Sequence, residues 1–563
     1  MTEQILESRF CPHCSAPFDI TNIDADFLDR LAPTLAGKKI SLPFPTHCPE
    51  CRRIRRYAWR NEKNIYKRVC DATGKSIISL FSPDAPCPVY ESDYWYSDRW
   101  DARQYGRDFD FSRSFFEQWY ELKKVVPMPW KAISQTMENS EYSDNCSNLK
   151  NCYLVFNAWE CEDCLYSCDL WGCKNSIDCL NGSYFENCYE VLNGNHCYNL
   201  YYSFDVKNCR DSSFLYNCEG CHDCYGCYNL RNKEFCIFND QYSEEGYRKK
   251  LLEVRKSSVD EQKVLIKKFL LESGYTIRLP ENISSEGVST SYQVHNSKNI
   301  THASDIRNSE DIRYGHGLLD TRLALDADIW WDRTENIYEC LQVGEALSSV
   351  YFSLSCWANI RNLFYCAYCV NNVHNCFGCI GLRNASYSIL NKQYTQEEYE
   401  ELMPRIIEKM MKSLPQSSTI PSREGGWPDI PLQHEGVAST GWRGSEWWEF
   451  FPARYSHFGY NQTMNMIKFP LTKEEALKKW FYWSDYEAPF PKVEKIIKAS
   501  LLPEDIIQIP DDILAWAITC EVSGKPFRIL TQELEFYRKH HLPIPRKHPD
   551  ERYKERTKIY LNY

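Results

Sequence analysis

Residues 146–236 read CSNLKNCYLVFNAWECEDCLYSCDLWGCKNSIDCLNGSYFENCYEVLNGNHCYNLYYSFDVKNCRDSSFLYNCEGCHDCYGCYNLRNKEFC, and fifteen of the chain's 28 cysteines lie in this stretch. The pairs Cys152 and Cys161, Cys164 and Cys173, Cys179 and Cys188, Cys188 and Cys197, Cys209 and Cys218, Cys218 and Cys227, and Cys227 and Cys236 are all nine residues apart. A period of nine is too short for a helical repeat, whereas two such units make an 18-residue coil of the kind a parallel β-solenoid adopts. Aromatic and β-branched strand formers punctuated by Asn, Asp and Gly fit that reading. The GGxGxD signature of calcium-binding nonapeptide rolls is missing, so no calcium is expected between coils.

Working outward, a second copy emerges. CHDCYGCYNLRNKEFCIFNDQYSEEGY from Cys221 matches VHNCFGCIGLRNASYSILNKQYTQEEY from Val373 without a gap, and CEDCLY at 161 and ENCYEV at 186 face SEDIRY at 309 and ENIYEC at 335. The chain therefore reads as mainly β with α: two tandem parallel β-solenoids, flanked by an N-terminal zinc ribbon or treble clef and a C-terminal, degenerate zinc-ribbon-like α+β domain. Each solenoid ends in an amphipathic helix, with Ser243 or Thr395 as N-cap and Glu398 in capping-box position, placed to cap the open end. The expected segments are 1–69 for the zinc module with its basic helix and 70–137 for an aromatic-rich connection with a worn knuckle. The first solenoid takes 138–279, the second 280–414, a linker 415–432 and the C-terminal domain 433–563.

The composition, 43% hydrophobic and 25% charged over 563 residues, excludes a wholly disordered chain and implies three to four domains at about 150 residues each. No apolar run approaches the roughly 20 residues of a membrane helix, and MTEQILESRFCPHC lacks the features of a signal peptide, so a cytoplasmic location is expected. Thiols there stay reduced, and the cysteines must be ligands, core filler or redox groups.

Cys11-Pro-His-Cys14 and Cys48-Pro-Glu-Cys51 supply four thiolates, the closed tetrahedral set of one structural Zn2+. CPHCSAPF with CPECRR resembles bacterial zinc-ribbon or treble-clef modules. CEVSGKPFRI from Cys520 and HPDER from His548 repeat CPHCSAPFDI and CPECR with Ser523, His548 and Glu551 at three ligand positions, a fold expected to have lost its metal. CDATGK from Cys70 is a third, also worn, copy. CEGCHDCYGC is similar to an iron-sulfur run. Yet Cys221, Cys152, Cys164 and Cys188 face Val373, Ile300, Ile312 and Ile337 in the second solenoid, the substitutions of apolar filler rather than of ligands. His222, Cys224 and Cys227 persist as His374, Cys376 and Cys379 and keep an HxCxxC metal alternative open.

Beside the zinc knuckle, Arg52, Arg53, Arg55, Arg56, Trp59, Arg60, Lys67 and Arg68 form a basic, aromatic-interleaved run suited to phosphates and unpaired bases, RNA more than DNA. The tail from Arg538 to Lys558 is basic as well. The first solenoid is the reverse, with 15 acidic and 6 basic residues between 139 and 240, so the equal alternative is that the basic run is a solvated helix face packing on that acidic first solenoid of the same molecule. The Trp- and Tyr-dense stretches at 90–130 and 441–460 read as core or seam filler, with a stacking platform as the functional alternative. No phosphate loop, nucleophile elbow, catalytic-zinc or dinucleotide motif occurs. Asp326 and Asp328 with His316, among Asp320 and Asp332, are the weak catalytic candidates, a cluster without a counterpart in the first solenoid.

These motifs, together with YGRDFDFSRSFFEQW, FPLTKEEAL, WSDYEAPFPKVEKI and LTQELEFYRKHHLPIPRKHPDER, resemble nearly end to end a zinc-ribbon and Cys-rich repeat family of candidate-phyla-radiation bacteria that carries the label "caib/baif". The resemblance implies no activity, and the residues give a CoA-transferase reading no support. The expected function is a non-catalytic, zinc-stabilised scaffold contacting nucleic acid through its basic segments and protein partners through its solenoids. The alternatives are a purely protein-binding or self-assembling solenoid and a hydrolase acting on a polymer in the groove.

Overall fold

The structure is a computed structural model that describes residues 2–412 and 446–561 apart from 36, 62, 132–133, 256–257, 276–281, 329–333, 339–340, 344–346, 352–353, 357–360, 488 and 491. The expected linker at 415–432 lies outside the described residues. The chain forms two units, one of residues 1–130 with 279–486, the other of 131–278 with 487–563. Each unit joins one solenoid to one knuckle-bearing terminal module. The C-terminal segment expected as one domain over 433–563 therefore divides, with 446–486 in the first unit and 487–563 in the second.

The two parallel solenoids together make about 18 turns across residues 135–389. Their coil has 12 residues, not 18. Phe156 pairs with Cys168, Cys168 with Leu180, Leu180 with Leu192, Leu192 with Phe204 and Phe204 with Tyr216, each twelve residues on. Within a coil every third residue takes a positive φ, as Asn145, Asn148, Asn151, Leu154, Asn157, Glu160 and Asp163 do, and the residue after each of them points inward. Four such three-residue sides close a four-sided coil. Asn and Asp tolerate this left-handed conformation best, which accounts for their abundance between the cysteines.

The nine-residue spacing is three sides of that square. It places each sulfur against the carbonyl of the residue nine further on: Cys152 Sγ donates to Cys161 O at 3.6 Å, Cys164 to Cys173 O at 3.4 Å, Cys209 to Cys218 O at 3.4 Å and Cys227 to Cys236 O at 3.5 Å. The same sulfurs receive the N–H one coil above, as Cys173 Sγ does from Phe185 and Cys227 Sγ from Asn239, both at 3.4 Å. Serines take over this pattern at equivalent sites: Ser167 Oγ donates to Leu165 O at 2.8 Å and accepts from Cys179 N at 2.9 Å. The cysteines are thus buried filler that also meets inward backbone groups.

In the second solenoid, Thr321 pairs with Thr334, Thr334 with Leu347, Ser348 with Arg361 and Arg361 with His374, four successive registers of thirteen. Four added residues account for the offset between the copies rising from 148 at Ser309 to 152 at Val373. Both solenoids close on a short antiparallel return, Cys236 with Gln241 and Ser388 with Gln393, followed by the expected helices Glu244–Val254 and Gln396–Met411. Ser243 caps the first, and Thr395 with Glu398 forms a capping box on the second. An additional helix, Val259–Glu272, packs against outward side chains of the last coils, with Tyr225 Oη donating to Gln262 Oε1 at 2.7 Å.

The aromatic stretches of the first unit are core. Trp95, Trp119, Trp447, Phe450 and Phe451 are buried, and the Trp119 and Phe451 rings lie 4.3 Å apart.

Candidate metal centre and the guanidinium clamp

The metal centre starts from a strand-knuckle-strand, Ile5–Phe10 and Pro17–Thr21, whose turn carries Cys11 and Cys14. Ser15 N donates to Cys11 O at 2.8 Å and Cys11 N to Ala16 O at 2.9 Å, with Ser15 at a positive φ of 61°. Cys48 is the N-cap of the helix Pro49–Tyr57 and Cys51 lies in its first turn, where the helix dipole favours thiolates. The four sulfurs all lie within 4.8 Å of one another, with Cys14 and Cys48 at 3.7 Å. A tetrahedral ion with metal-sulfur bonds of 2.3 Å needs edges of about 3.8 Å, so the donor set fits such an ion. Hydrogen bonds from Cys48 and Cys51 lower the Cys11 pKa. His13 Nδ1 lies 3.3 Å from Cys51 Sγ, and burial lowers its pKa, followed by the charge of Lys479.

The same knuckle recurs twice with identical backbone bonding. Gly74 N donates to Cys70 O at 2.9 Å and Cys70 N to Lys75 O at 2.8 Å, while Gly524 N donates to Cys520 O at 3.0 Å and Cys520 N to Lys525 O at 2.9 Å. Among the described residues, the only group of three or more clustered ligands is Cys11, Cys14, Cys48 and Cys51. Cys520, Ser523, His548 and Glu551 do not form one. Nor do the HxCxxC residues: His222 turns outward to Glu234 at 3.0 Å, while Cys224 and Cys227 face the core and donate to His222 O and Tyr225 O.

The basic run does not lie on the surface as a whole. Arg52, Arg55, Arg56, Arg60 and Arg68 are all buried, Arg56 completely. Arg52 Nε meets Asp326 Oδ2 at 2.7 Å, Arg56 meets Asp326 Oδ1 at 3.6 Å and Asp328 Oδ2 at 2.6 Å, and Arg53 reaches Asp328 at 3.4 Å. Arg55 pairs with Glu449, which also accepts from Thr46 Oγ1 at 2.5 Å. Burial opposes the charge on Arg52 and Asp326 overcomes it, holding the guanidinium above its usual pKa. Burial likewise pushes Glu449 up, but Arg55 and then His47 pull its carboxyl down to about 2. Arg68 pairs with Asp71 at 2.9 Å, and Trp59 packs against Trp119 and Phe451. The Arg60 carbonyl receives Met464 N at 3.0 Å; Lys67 alone of the eight residues is exposed. Arg52, Arg53 and Arg56 therefore pack on a solenoid of their own chain, whereas Arg55, Trp59 and Arg68 pack on other parts of the first unit. That solenoid is the second, not the more acidic first.

Asp326 and Asp328, 0% and 1% exposed, are tied into these pairs and meet no solvent that would bring a substrate. His316 Nδ1 bonds Ser304 Oγ at 2.8 Å, and burial with Lys468 pushes its pKa well below the usual value.

The second unit repeats the clamp. His548 precedes the helix Pro549–Leu561 as Cys48 precedes Pro49–Tyr57, so Arg552 and Arg556 stand where Arg52 and Arg56 stand. Arg552 pairs with Asp178 Oδ2 and Arg556 with Asp178 Oδ1, the latter at 2.7 Å. Asp178 precedes Asp326 by 148 residues, the offset between the solenoids, and both residues have positive φ, 58° and 60°. The first solenoid therefore matches one member of the acidic cluster, Asp326, and not the cluster: Asp328, Asp320 and His316 correspond to Leu180, Gly172 and Cys168, and Asp332 lies outside the described residues. Arg552 lies 4.7 Å over the Tyr166 ring as Arg52 lies 5.2 Å over Tyr314. Glu533, in contact with Arg552 at 3.5 Å and with Tyr166 Oη at 3.1 Å, occupies the position of Asp24, which binds Arg313 at 2.7 Å. Sequence reasoning passed over Asp24, Asp178, Glu449, Glu533, Arg552 and Arg556, though the 148-residue offset would have found Asp178.

No known family model matches the chain, and no curated protein matches it. Among solved structures, a crystal structure of a "putative acetyltransferase" from Desulfovibrio desulfuricans G20 aligns with 43% of this chain and 65% of its own length, at 8% identity and a TM-score of 0.11. A likeness at that TM-score carries no argument about fold or activity.

Proposed function

We propose that the protein is a non-catalytic binding scaffold in which one Zn2+ per chain secures the N-terminal module to its solenoid. The observation that carries this reading is the helix Pro49–Tyr57, which brings Cys48 and Cys51 to the thiolate cluster and Arg52 and Arg56 to Asp326 within a few residues. Metal held at one end of the helix orders the side chains that hold the solenoid at the other. The thiolate set leaves no open position for substrate, as befits a structural ion. Solenoid sulfurs engaged with backbone carbonyls support a single metal per chain.

The nucleic-acid reading loses its main argument, because the arginines meant for phosphates already face carboxylates. The hydrolase reading loses its acids for the same reason. Flat solenoid faces remain as the surfaces on which a partner docks.

Element-resolved metal analysis of protein purified without added metal tests the proposal. About one zinc per chain is expected, with loss of the metal in Cys48→Ser and no visible absorption band. A chain that retains no metal, or a brown, iron-containing one, overturns it.

A further inference from the structure

One face of the first solenoid carries aromatic side chains that the core does not require. Trp159 and Trp171 are paired outward residues of successive coils, their rings stacked at 6.1 Å and 26°. On the next coil the outward position is Ser183, and the aromatic side chain is displaced to the adjoining corner, Tyr184. Its ring lies across Gly172, where a Cβ would come within 2.8 Å of Tyr184 Cδ1, so the glycine leaves the ring its place. His196, one coil further, stands 4.7 Å from Tyr184. Four rungs at about 4.8 Å make a strip roughly 14 Å long. Trp171 is 41% exposed and Tyr184 50%, on coils whose inward side is already filled by Ala158, Leu170 and Phe185.

The far edge of the same face is a polar ladder. Asn181 donates to Asn193 at 3.1 Å and Asn193 to Asp205 at 2.9 Å, all half-buried, while Asn157, which is itself buried, donates to the half-buried Asp169 Oδ1 at 3.1 Å. The basic residues bordering the strip face acids already: Lys150 and Lys174 meet Glu162 at 3.2 and 3.7 Å, and Lys207 meets Glu219 at 4.0 Å. Glu160 adds a negative charge at the corner. A polyanion stacking its bases here would find carboxylates where its phosphates need cations. A ligand with flat apolar faces, many hydroxyls and no charge meets the rings on one edge and the amides on the other.

We infer that this face binds a neutral glycan chain laid along the solenoid axis, with sugar rings on Trp159, Trp171 and Tyr184 and hydroxyls on the Asn-Asp ladder. The inference rests on the scaffold reading and names a ligand for one of its faces. The two fail separately, since metal content is blind to the strip and glycan binding is blind to the ion.

The test is calorimetric titration of the full chain with cello-, xylo-, manno- and laminarihexaose, and with oligo(dT) as the anionic probe, for wild type, Trp171→Ala, Tyr184→Ala and the double variant. At least one hexaose is expected to bind, at least tenfold more weakly to each single variant, with oligo(dT) silent. Urea midpoints check that the variants fold, and Trp171→Phe, which keeps a ring, is expected to bind within threefold of wild type. Silence from all four sugars, binding that survives the double variant, or oligo(dT) binding abolished by the same substitutions overturns the inference.

Discussion

At the scale of the residue, cysteine serves this solenoid because a left-handed residue at every third position turns peptide groups toward the interior. A thiol is apolar enough to stack there and still gives and receives weak hydrogen bonds. Cys173 illustrates this, donating to Trp171 O at 3.5 Å and Gly182 O at 3.6 Å while accepting from Phe185 N. Cys173→Ala should cost about 1–3 kcal/mol by leaving the Phe185 amide without an acceptor. Cys173→Ser should cost less than half of that, since Ser167 already fills the same role; urea midpoints of the two variants give the order. The clamp makes a second prediction. Removing one partner of a buried ion pair costs about 3–5 kcal/mol, so Asp326→Ala, which strips Arg52 of its carboxylate and leaves Arg56 with Asp328 alone, should lower the urea midpoint far more than a surface change. By the same argument, changing Arg52, Arg53, Arg55 and Arg56 to Glu destroys folding, and any binding lost with them reports that collapse. Duplication made the filler role of cysteine legible, through Ile300 and Val373. Its hydrogen bonding was not, because that follows from backbone twist and leaves no mark on a list of spacings.

At the scale of the element, the knuckle and the capping boxes were readable because each is local: Cys11 to Ala16, or Thr395 to Glu398, sets its own geometry within six residues. The coil length was not local. Nine is the spacing of sulfur from the carbonyl it meets, twelve the distance around the square, and only the strand registers separate them. Nor could the sequence distinguish a basic helix facing solvent from one facing Asp326, since both spread arginine along Pro49–Tyr57. That docking carries a pH signature through Glu449. Its carboxyl, held down to about 2 by Arg55 and His47 against burial, ionises near 4.5 when unfolded. Its contribution is therefore complete above pH 4.5 and is lost as pH falls through about 2. It amounts to roughly 3 kcal/mol at 1.36 kcal/mol per pH unit. The stability gap between wild type and Glu449→Gln should accordingly shrink between pH 4.5 and 2; a gap that stays constant across that window refutes the assignment.

At the scale of the whole molecule, the chain uses one design twice: a knuckle module, a helix with arginines four apart, and a solenoid aspartate at a left-handed corner. The two versions differ at the knuckle. In the first unit four cysteines are gathered where they could hold an ion, whereas in the second Cys520 receives the Ser523 N–H at 3.4 Å and the module packs through Phe527, Ile529, Leu534 and Tyr537 onto Leu165, Ile177 and Tyr189. Metal should therefore stabilise one clamp and not the other. Hydrogen exchange read by mass spectrometry distinguishes them. With a strong zinc chelator, or in Cys48→Ser, amides of Glu310–Arg313 and Thr321–Leu325, strands that adjoin the first clamp, should lose protection, while Cys168–Trp171 and Leu180–Ser183 keep theirs. Arg552→Ala should do the reverse, opening the strands around Asp178 and leaving those around Asp326 protected. Equal loss at both clamps on chelation would mean that the ion acts on the chain as a whole, and protection unchanged at Asp326 would mean that the arginines hold the first module without it.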